Sequence, residues 1–337
     1  MFDENSYRQN KQKNLLKIIS DLYDKPRWIW IESGSRRRMT FQIDYKNRLG
    51  FFAEKSHDLV EISEDKISIK EISGLIPYLK KFLKTQEESF FTKISVTLFD
   101  SGLALVFTIK RKLNFKQNQQ LVDFGKAHNL NISCRIKNDS ITILQLHKNQ
   151  IFYPDFKIDL DCDIFIQATK SGLEAIIKII REIICEGAVI KAARIADVYA
   201  GFGAYSFAIH DLAKSIYAFE GDEKMVDLIT KNSAQNNLKA KITAKKRDLF
   251  FNPLTKSELK DFDVVIINPP RNGASPQISE IAKSSLKNLI YISCNPQSFV
   301  RDVKILIDAG YKIANLTAID QFHATKHLEL VAIVQKN

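Results

Sequence analysis

No two cysteines of this 337-residue chain stand in a CxxC pair; Cys134, Cys162, Cys185 and Cys294 are scattered. That spacing excludes a zinc site, an iron–sulfur cluster and a disulfide framework, and points to a reducing, cytoplasmic setting. No metal is expected. No apolar run approaches the roughly 20 residues that span a bilayer, so no membrane partner is expected. Met1-Phe2-Asp3-Glu4-Asn5 is polar and acidic, unlike a secretory signal. Internal repeats and low-complexity tracts are missing as well.

What is present is an ordinary 45% of hydrophobic residues and a net charge of +11. An excess of that size in a basic protein suits nucleic acid, because neutralising phosphates releases counterions. The length suits two or three domains, each with its own core. Residues 7–22 carry Leu15, Leu16, Ile18, Ile19 and Leu22 on one broad face and read as a helix, with Pro26 after it. A mixed α+β pattern follows. Asn47-Arg48-Leu49-Gly50 reads as a turn, residues 72–84 and 117–128 as helices, and Asp100-Ser101-Gly102 and Asn138-Asp139-Ser140 as hairpin turns.

From Ile164 the rhythm becomes alternating helix and strand. Thr169–Glu186 is a long helix. Strands are predicted at Arg194–Tyr199, Ser215–Glu220, Lys241–Ala244, Phe262–Asn268 and Leu289–Ser293, with helices near 204–213, 223–236, 276–286 and 297–309. Such alternation implies a parallel sheet with helices on both faces and a ligand at the carboxyl ends of the strands. Two final apolar runs, Ile313–Ile319 and Leu328–Val334, suit an antiparallel hairpin at the sheet edge. The expected organisation is an N-terminal helix over 1–24, an α+β domain over 25–155 and an α/β domain over 156–337.

Asp197-Val198-Tyr199-Ala200-Gly201-Phe202-Gly203 ends a strand and opens a helix, where glycines let the backbone approach a ligand. The dinucleotide fingerprint wants a third glycine at 206, and this chain has Ser206. Asp-x-x-x-Gly-x-Gly instead resembles motif I of the class I methyltransferases that use S-adenosylmethionine. Glu220 ends the next strand, where a carboxylate can accept from both ribose hydroxyls, and Asp248 ends the one after, near an adenine amino group.

Asn268-Pro269-Pro270-Arg271 ends the fourth strand, its prolines stiffening the loop. Cys294 ends the fifth, in Ile292-Ser293-Cys294-Asn295-Pro296, and Glu329 begins the last. This set matches the needs of methylation at C5 of uracil. That carbon is a poor nucleophile until a thiolate adds at C6, and a base must then remove the C5 proton so that the thiol can leave. Cys294 suits the nucleophile and Glu329 the base. Cys134, Cys162 and Cys185, with no motif around them, suit small buried hydrophobes.

Those motifs, with Asp320-Gln321-Phe322, His327-Leu328-Glu329 and Phe165-Ile166-Gln167, resemble the RNA uracil-C5 methyltransferases, which make 5-methyluridine in 23S rRNA or tRNA. Arg36-Arg37-Arg38 and Ser56-His57 extend the likeness, which runs from about Tyr7 to Val334. It implies a class I, Rossmann-like methyltransferase domain with a mostly parallel seven-stranded sheet, preceded by a smaller α+β RNA-contacting domain. It implies S-adenosylmethionine held by Gln167, Tyr199, Gly201, Glu220, Asp248 and Asn268. Arg36, Arg37, Arg38 and Arg271 are implied at the RNA or cleft, and the target is a flipped uridine in single-stranded or loop RNA, ribosomal ahead of transfer RNA. A monomer is the expectation.

Three departures stand out. The family usually has Asp at the position of Asn268, and often Cys at that of Ala200. Many relatives begin with a β-barrel RNA-binding domain and a cysteine cluster, and this chain starts just after where both would end. Two other readings remain open: a base amino-methyltransferase using the Asn-Pro-Pro loop, and an RNA-binding remnant without turnover. Lys110-Arg111-Lys112 is a further candidate for phosphate contact, and Trp28, Trp30, Phe41, Phe107 and Phe115 for base stacking.

Overall fold

The computed structural model describes residues 3–53, 56–63, 65–186, 193–323 and 325–336. They divide into two compact units, Met1–Ile31 with Gly172–Asn337, and Glu32–Ser171.

Helix α1 (Glu4–Ile19) opens the chain, its N-cap Asp3 accepting from the amide of Asn5. Leu15 and Ile19 enter a core shared with Phe299, Leu306 and Leu328. Strand β1 (Arg27–Trp30) belongs to the same unit.

The second unit holds β2 (Arg38–Ile43), β3 (Leu49–Phe52), β4 (Leu59–Glu61), α2 (Lys70–Lys84), β5 (Phe91–Phe99), β6 (Gly102–Ile109), α3 (Phe115–His128), β7 (Asn131–Ile136) and β8 (Asp139–Leu144). These strands form one sheet in the order β4-β3-β2-β5-β6-β7-β8. Only β6 and β7 pair in parallel, because α3 carries the chain back between them. β9 (Asn149–Phe152) and β10 (Lys157–Leu160) make a separate antiparallel pair. Phe41, Phe91 and Phe107 are fully buried in this unit's core.

Helix α4 (Lys170–Glu186) leads into β11 (Ala193–Val198), α5 (Ala204–Ala208), β12 (Ala213–Glu220), α6 (Glu223–Gln235), β13 (Ile242–Lys246), β14 (Val264–Ile267), α7 (Ser275–Ala282), β15 (Asn288–Ser293), α8 (Pro296–Asp308), β16 (Tyr311–Asp320) and β17 (Glu329–Lys336). The sheet runs β1-β16-β17-β15-β14-β11-β12-β13. Strands β11 to β15 are mutually parallel, and β14 and β15 are buried apolar runs, as suits a sheet covered on both faces. Strand β17 is antiparallel to both its neighbours.

Eight strands stand where seven were expected, because β1 adds along β16 with Arg27 opposite Thr317. The compact units also divide the chain at other positions than expected, for a separate reason at each boundary. β1 finds its hydrogen-bond partners in β16 and so leaves the α+β segment. Residues 156–171 join the second unit, since β10 pairs with β9 and Thr169 bridges Arg36. The expected terminal hairpin forms, but β17 lies inside the sheet, inserted between β15 and β16. Among the described residues, no helix is long and apolar enough to cross a membrane, and no cluster of His, Cys, Asp or Glu suits a metal ion.

Candidate active site

The carboxyl ends of β11 to β15 share one edge of the sheet. Tyr199 follows β11, Glu220 ends β12, Asp248 follows β13, Asn268 follows β14 and Cys294 follows β15. Because β17 runs the other way, its first residue meets that same edge. Ser293 pairs with Leu330 in antiparallel register, so the next step toward that edge brings Cys294 opposite Glu329.

At the glycine turn the chain passes through the left-handed region at Tyr199 (φ 61°), Gly201 (φ 55°) and Gly203 (φ 83°). Asp197 is fully buried and accepts from the Ser206 amide (3.2 Å) and hydroxyl (2.7 Å). Ser206 therefore ties the end of β11 to α5 where a dinucleotide site would carry a glycine. Burial pushes Asp197 up to about 6, with the Ser206 hydrogen bonds opposing. Glu220 accepts from the amides of Gly201 (2.8 Å), Gly221 (2.8 Å) and Asp222 (3.0 Å). Asp248 accepts from the amide of Phe250 (3.1 Å), and the Phe250 ring stands 5.4 Å from that of Tyr199. The Tyr199 hydroxyl is buried with no hydrogen-bond partner among the described residues, and burial raises its pKa, helped by Asp302, Asp248 and Glu220. A Cβ at Gly201 would meet nothing within 4 Å. Open space at Gly201, with the carboxylates of Glu220 and Asp248 at the ends of the next two strands, suits a nucleoside ligand carrying hydroxyl and amino donors.

Gln167 lies in the other unit, where its carbonyl accepts from Arg37 Nε at 3.3 Å. Its expected cofactor role rests on the family resemblance alone.

The thiol of Cys294 is half-buried. Burial pushes it above the usual thiol value, the Glu329 carboxylate adds to that, and Arg271, within hydrogen-bonding reach, opposes both. Asn295 Nδ2 donates to the Arg271 carbonyl at 2.9 Å, fixing the loop after β14 against the loop after β15. Asp302 on α8 is the deeper anchor. It is fully buried and accepts from the Ala274 amide (2.7 Å), the Ser275 hydroxyl (2.9 Å) and the Tyr291 hydroxyl (2.8 Å). Glu329 is buried, and Gln321 Nε2 donates to its Oε2 at 3.1 Å. A cleft of about 670 Å³ opens beside Cys294, Arg271 and His327, within the usual range for a ligand site.

Asn295, Asp302 and Gln321 were not singled out from the sequence for these positioning roles. Asn295 and Gln321 sit inside quoted motifs; Asp302 is mid-helix and carries no local signal. Arg37 corrects an expectation. It is only 3% exposed, and its guanidinium faces the Gln167 carbonyl and Asp100, so it is structural rather than a phosphate contact. Arg36 and Arg38 are half-buried, with Arg38 over the Phe165 ring. Phe41 and Phe107 are core residues, not stacking platforms, whereas Phe115 is exposed. Trp28 and Trp30 stack on each other along β1. Arg111 pairs with Glu88. Cys134 and Cys162 are buried as expected, with Cys134 pushed up to about 12 by burial; Cys185 is exposed instead.

The parallel sheet with its glycine turn, acidic strand ends and reversed β17 defines a class I, Rossmann-like methyltransferase fold. The profile of the tRNA (uracil-5-)-methyltransferase family matches residues 6–337, and the chain belongs to that family of RNA (uracil-C5) methyltransferases. An uncharacterized RNA methyltransferase of Rhizobium meliloti is 33% identical over 311 residues, covering 90% of this chain and 72% of its own. A protein of Shewanella piezotolerans named 23S rRNA (uracil(1939)-C(5))-methyltransferase RlmD is 28% identical over 332 residues, covering 96% and 73%. The crystal structure of the Pyrococcus abyssi tRNA (uracil-54, C5)-methyltransferase with S-adenosyl-L-homocysteine superposes with a TM-score of 0.79. It is 21% identical and covers 99% of this chain and 84% of its own.

Proposed function

We propose that this chain transfers a methyl group from S-adenosylmethionine to C5 of a uridine in RNA, through a covalent bond between Cys294 and C6. The observation that carries the mechanism is the antiparallel register of β15 and β17, which puts a thiol and a buried carboxylate at one sheet edge. S-adenosylmethionine supplies an electrophilic methyl carbon. Tyr199, Gly201, Glu220, Asp248 and Asn268 are the residues assigned to hold it. Three backbone donors already occupy Glu220, two on Oε1 and one on Oε2, so a carboxylate that takes roughly four hydrogen bonds keeps about one position, on Oε2, for a ribose hydroxyl rather than the two expected. Asn268, at a position where the family usually has Asp, keeps an acceptor without the charge.

The thiolate of Cys294 adds to C6, which makes C5 enolate-like, so that C5 bonds the methyl carbon as the methyl–sulfonium bond breaks and the donor's sulfur leaves as a neutral thioether. Glu329 takes the C5 proton, and elimination breaks the Cys294–C6 bond to return the thiolate. Arg271 stabilises the thiolate that starts the sequence. Gln321 and Asn295 hold the base and the Arg271 loop in place. Ribosomal RNA is the favoured substrate, supported by the likeness to the Shewanella protein over nearly the whole chain.

The test is tritium transfer from labelled S-adenosylmethionine to unmodified total RNA, with base analysis, for the native chain and Cys294→Ala. Label in 5-methyluridine that disappears in the variant is the expected result. Label in a methylated amine that survives it would move the assignment to the Asn-Pro-Pro loop. A folded native chain that leaves RNA unlabelled would mark a protein without turnover.

A further inference from the structure

The cleft beside Cys294 is walled on one side by α1. Asn10, Asn14 and Lys17 stand at i, i+4 and i+7, one stripe of the helix, and all three line that cleft. All are exposed, and none has a side-chain hydrogen bond or ion pair to another described residue. Their neighbour Lys11 behaves differently. It is buried, and its Nζ donates to Asp320 Oδ1 (2.5 Å) and Tyr7 Oη (2.9 Å), while Tyr7 Oη donates to Asp320 Oδ2 (2.7 Å). Asp320 precedes Gln321, which holds Glu329. The helix is thus locked to the segment that positions the base, and its remaining polar stripe is left facing the nucleophile's cleft.

The chemistry of that cleft is one-sided. Among the described residues its lining includes Lys17, Arg271 and Lys326, besides Lys11 that Asp320 already neutralises, and contains no Asp or Glu. A uridine presenting C6 to Cys294 brings its phosphates and the next nucleotide along with it. A carboxamide offers one donor edge and one acceptor, the pattern that matches an unpaired base.

We propose that α1 is a substrate-reading element: Asn10 and Asn14 hydrogen-bond the base next to the target uridine, and Lys17 meets the adjoining phosphate. The inference rests on the uridine-methylation reading and adds a determinant of which uridine is chosen.

The test uses the full chain and unmodified total RNA, with tritium transfer and mapping of the methylated positions. Asn10→Ala/Asn14→Ala is expected to lower kcat/KM for RNA by about tenfold or more, the effect of losing amide-to-base contacts, and to spread methylation over more uridines. Asn14→Asp should fall below Asn14→Ala, since a carboxylate cannot donate and repels phosphate. Lys17→Ala should reduce the salt slope of RNA binding by about one. S-adenosylmethionine affinity and Tm should stay at the native values, because these side chains are exposed. A double variant that methylates the same uridines within about twofold of the native rate would overturn the inference while leaving methylation intact. A native chain that labels no RNA would overturn the underlying reading, and this one with it.

Discussion

Cys294 is held in an environment that works against its own ionisation. Burial and Glu329 raise its pKa, and Arg271 is the opposing group. A thiol raised in this way is mostly protonated near neutrality, so kcat/KM should climb with pH above neutrality and keep climbing beyond the range of an ordinary thiol. Removing Arg271 takes away the pull towards thiolate. Arg271→Ala should therefore move the rising limb to higher pH. The rate near neutrality should fall about tenfold for every pH unit the limb moves, with part of the loss regained in alkali. The rate of Cys294 alkylation against pH is the direct check, and an unmoved curve would mean that Arg271 does not act on the thiol. Two residues further on, Gly273 has φ 77°, and a Cβ there would run into the Arg301 guanidinium and Asp302. Gly273→Ala should cost about 1–2 kcal/mol from the left-handed backbone, more from the clash. A drop in Tm together with slower methylation would report it, since the same turn carries Arg271.

The reversal of β17 is the element on which the chemistry depends. It places Glu329 at the edge where the parallel strands end, and Gln321, just after β16, steadies it. Gln321→Leu keeps the volume but removes the donor. Its expected signature is a lower kcat with little change in the RNA KM, and an RNA–protein adduct that persists on a denaturing gel because proton removal has slowed. A rise in KM alone would assign Gln321 to substrate binding. Element types were largely legible in the sequence, while the ends were less so. The helix expected over 204–213 stops at Ala208, because β12 claims Ala213 through its pairing with Ala193. The helix expected to reach 286 stops at Ala282, where the Ser284 hydroxyl takes the Ile281 carbonyl and accepts from the Leu286 amide.

For the molecule as a whole, a net charge of +11 predicts RNA binding that weakens steeply with salt. Affinity measured by fluorescence anisotropy should fall linearly with log salt, and a flat line would remove phosphate contacts from the account. Not every arginine contributes to that slope. Arg37 is buried against Gln167 and Asp100, so Arg37→Ala should lower Tm while leaving the salt slope in place. The opposite pattern would return Arg37 to the RNA surface.

Local chemistry wrote much of this protein openly. The glycine turn after β11, the acidic ends of β12 and β13, the rigid loop after β14 and the thiol after β15 all follow from turn residues and short apolar runs. These preferences act over a few neighbours and so can be read along the chain. Long-range partners could not be read that way. Lys11 meets Asp320 across 309 positions, β17 enters between β15 and β16, β1 adds to β16, and Arg37 turns inward. Each is selected by the burial and hydrogen bonding of groups far apart in sequence, and that free energy exists only once the units have folded.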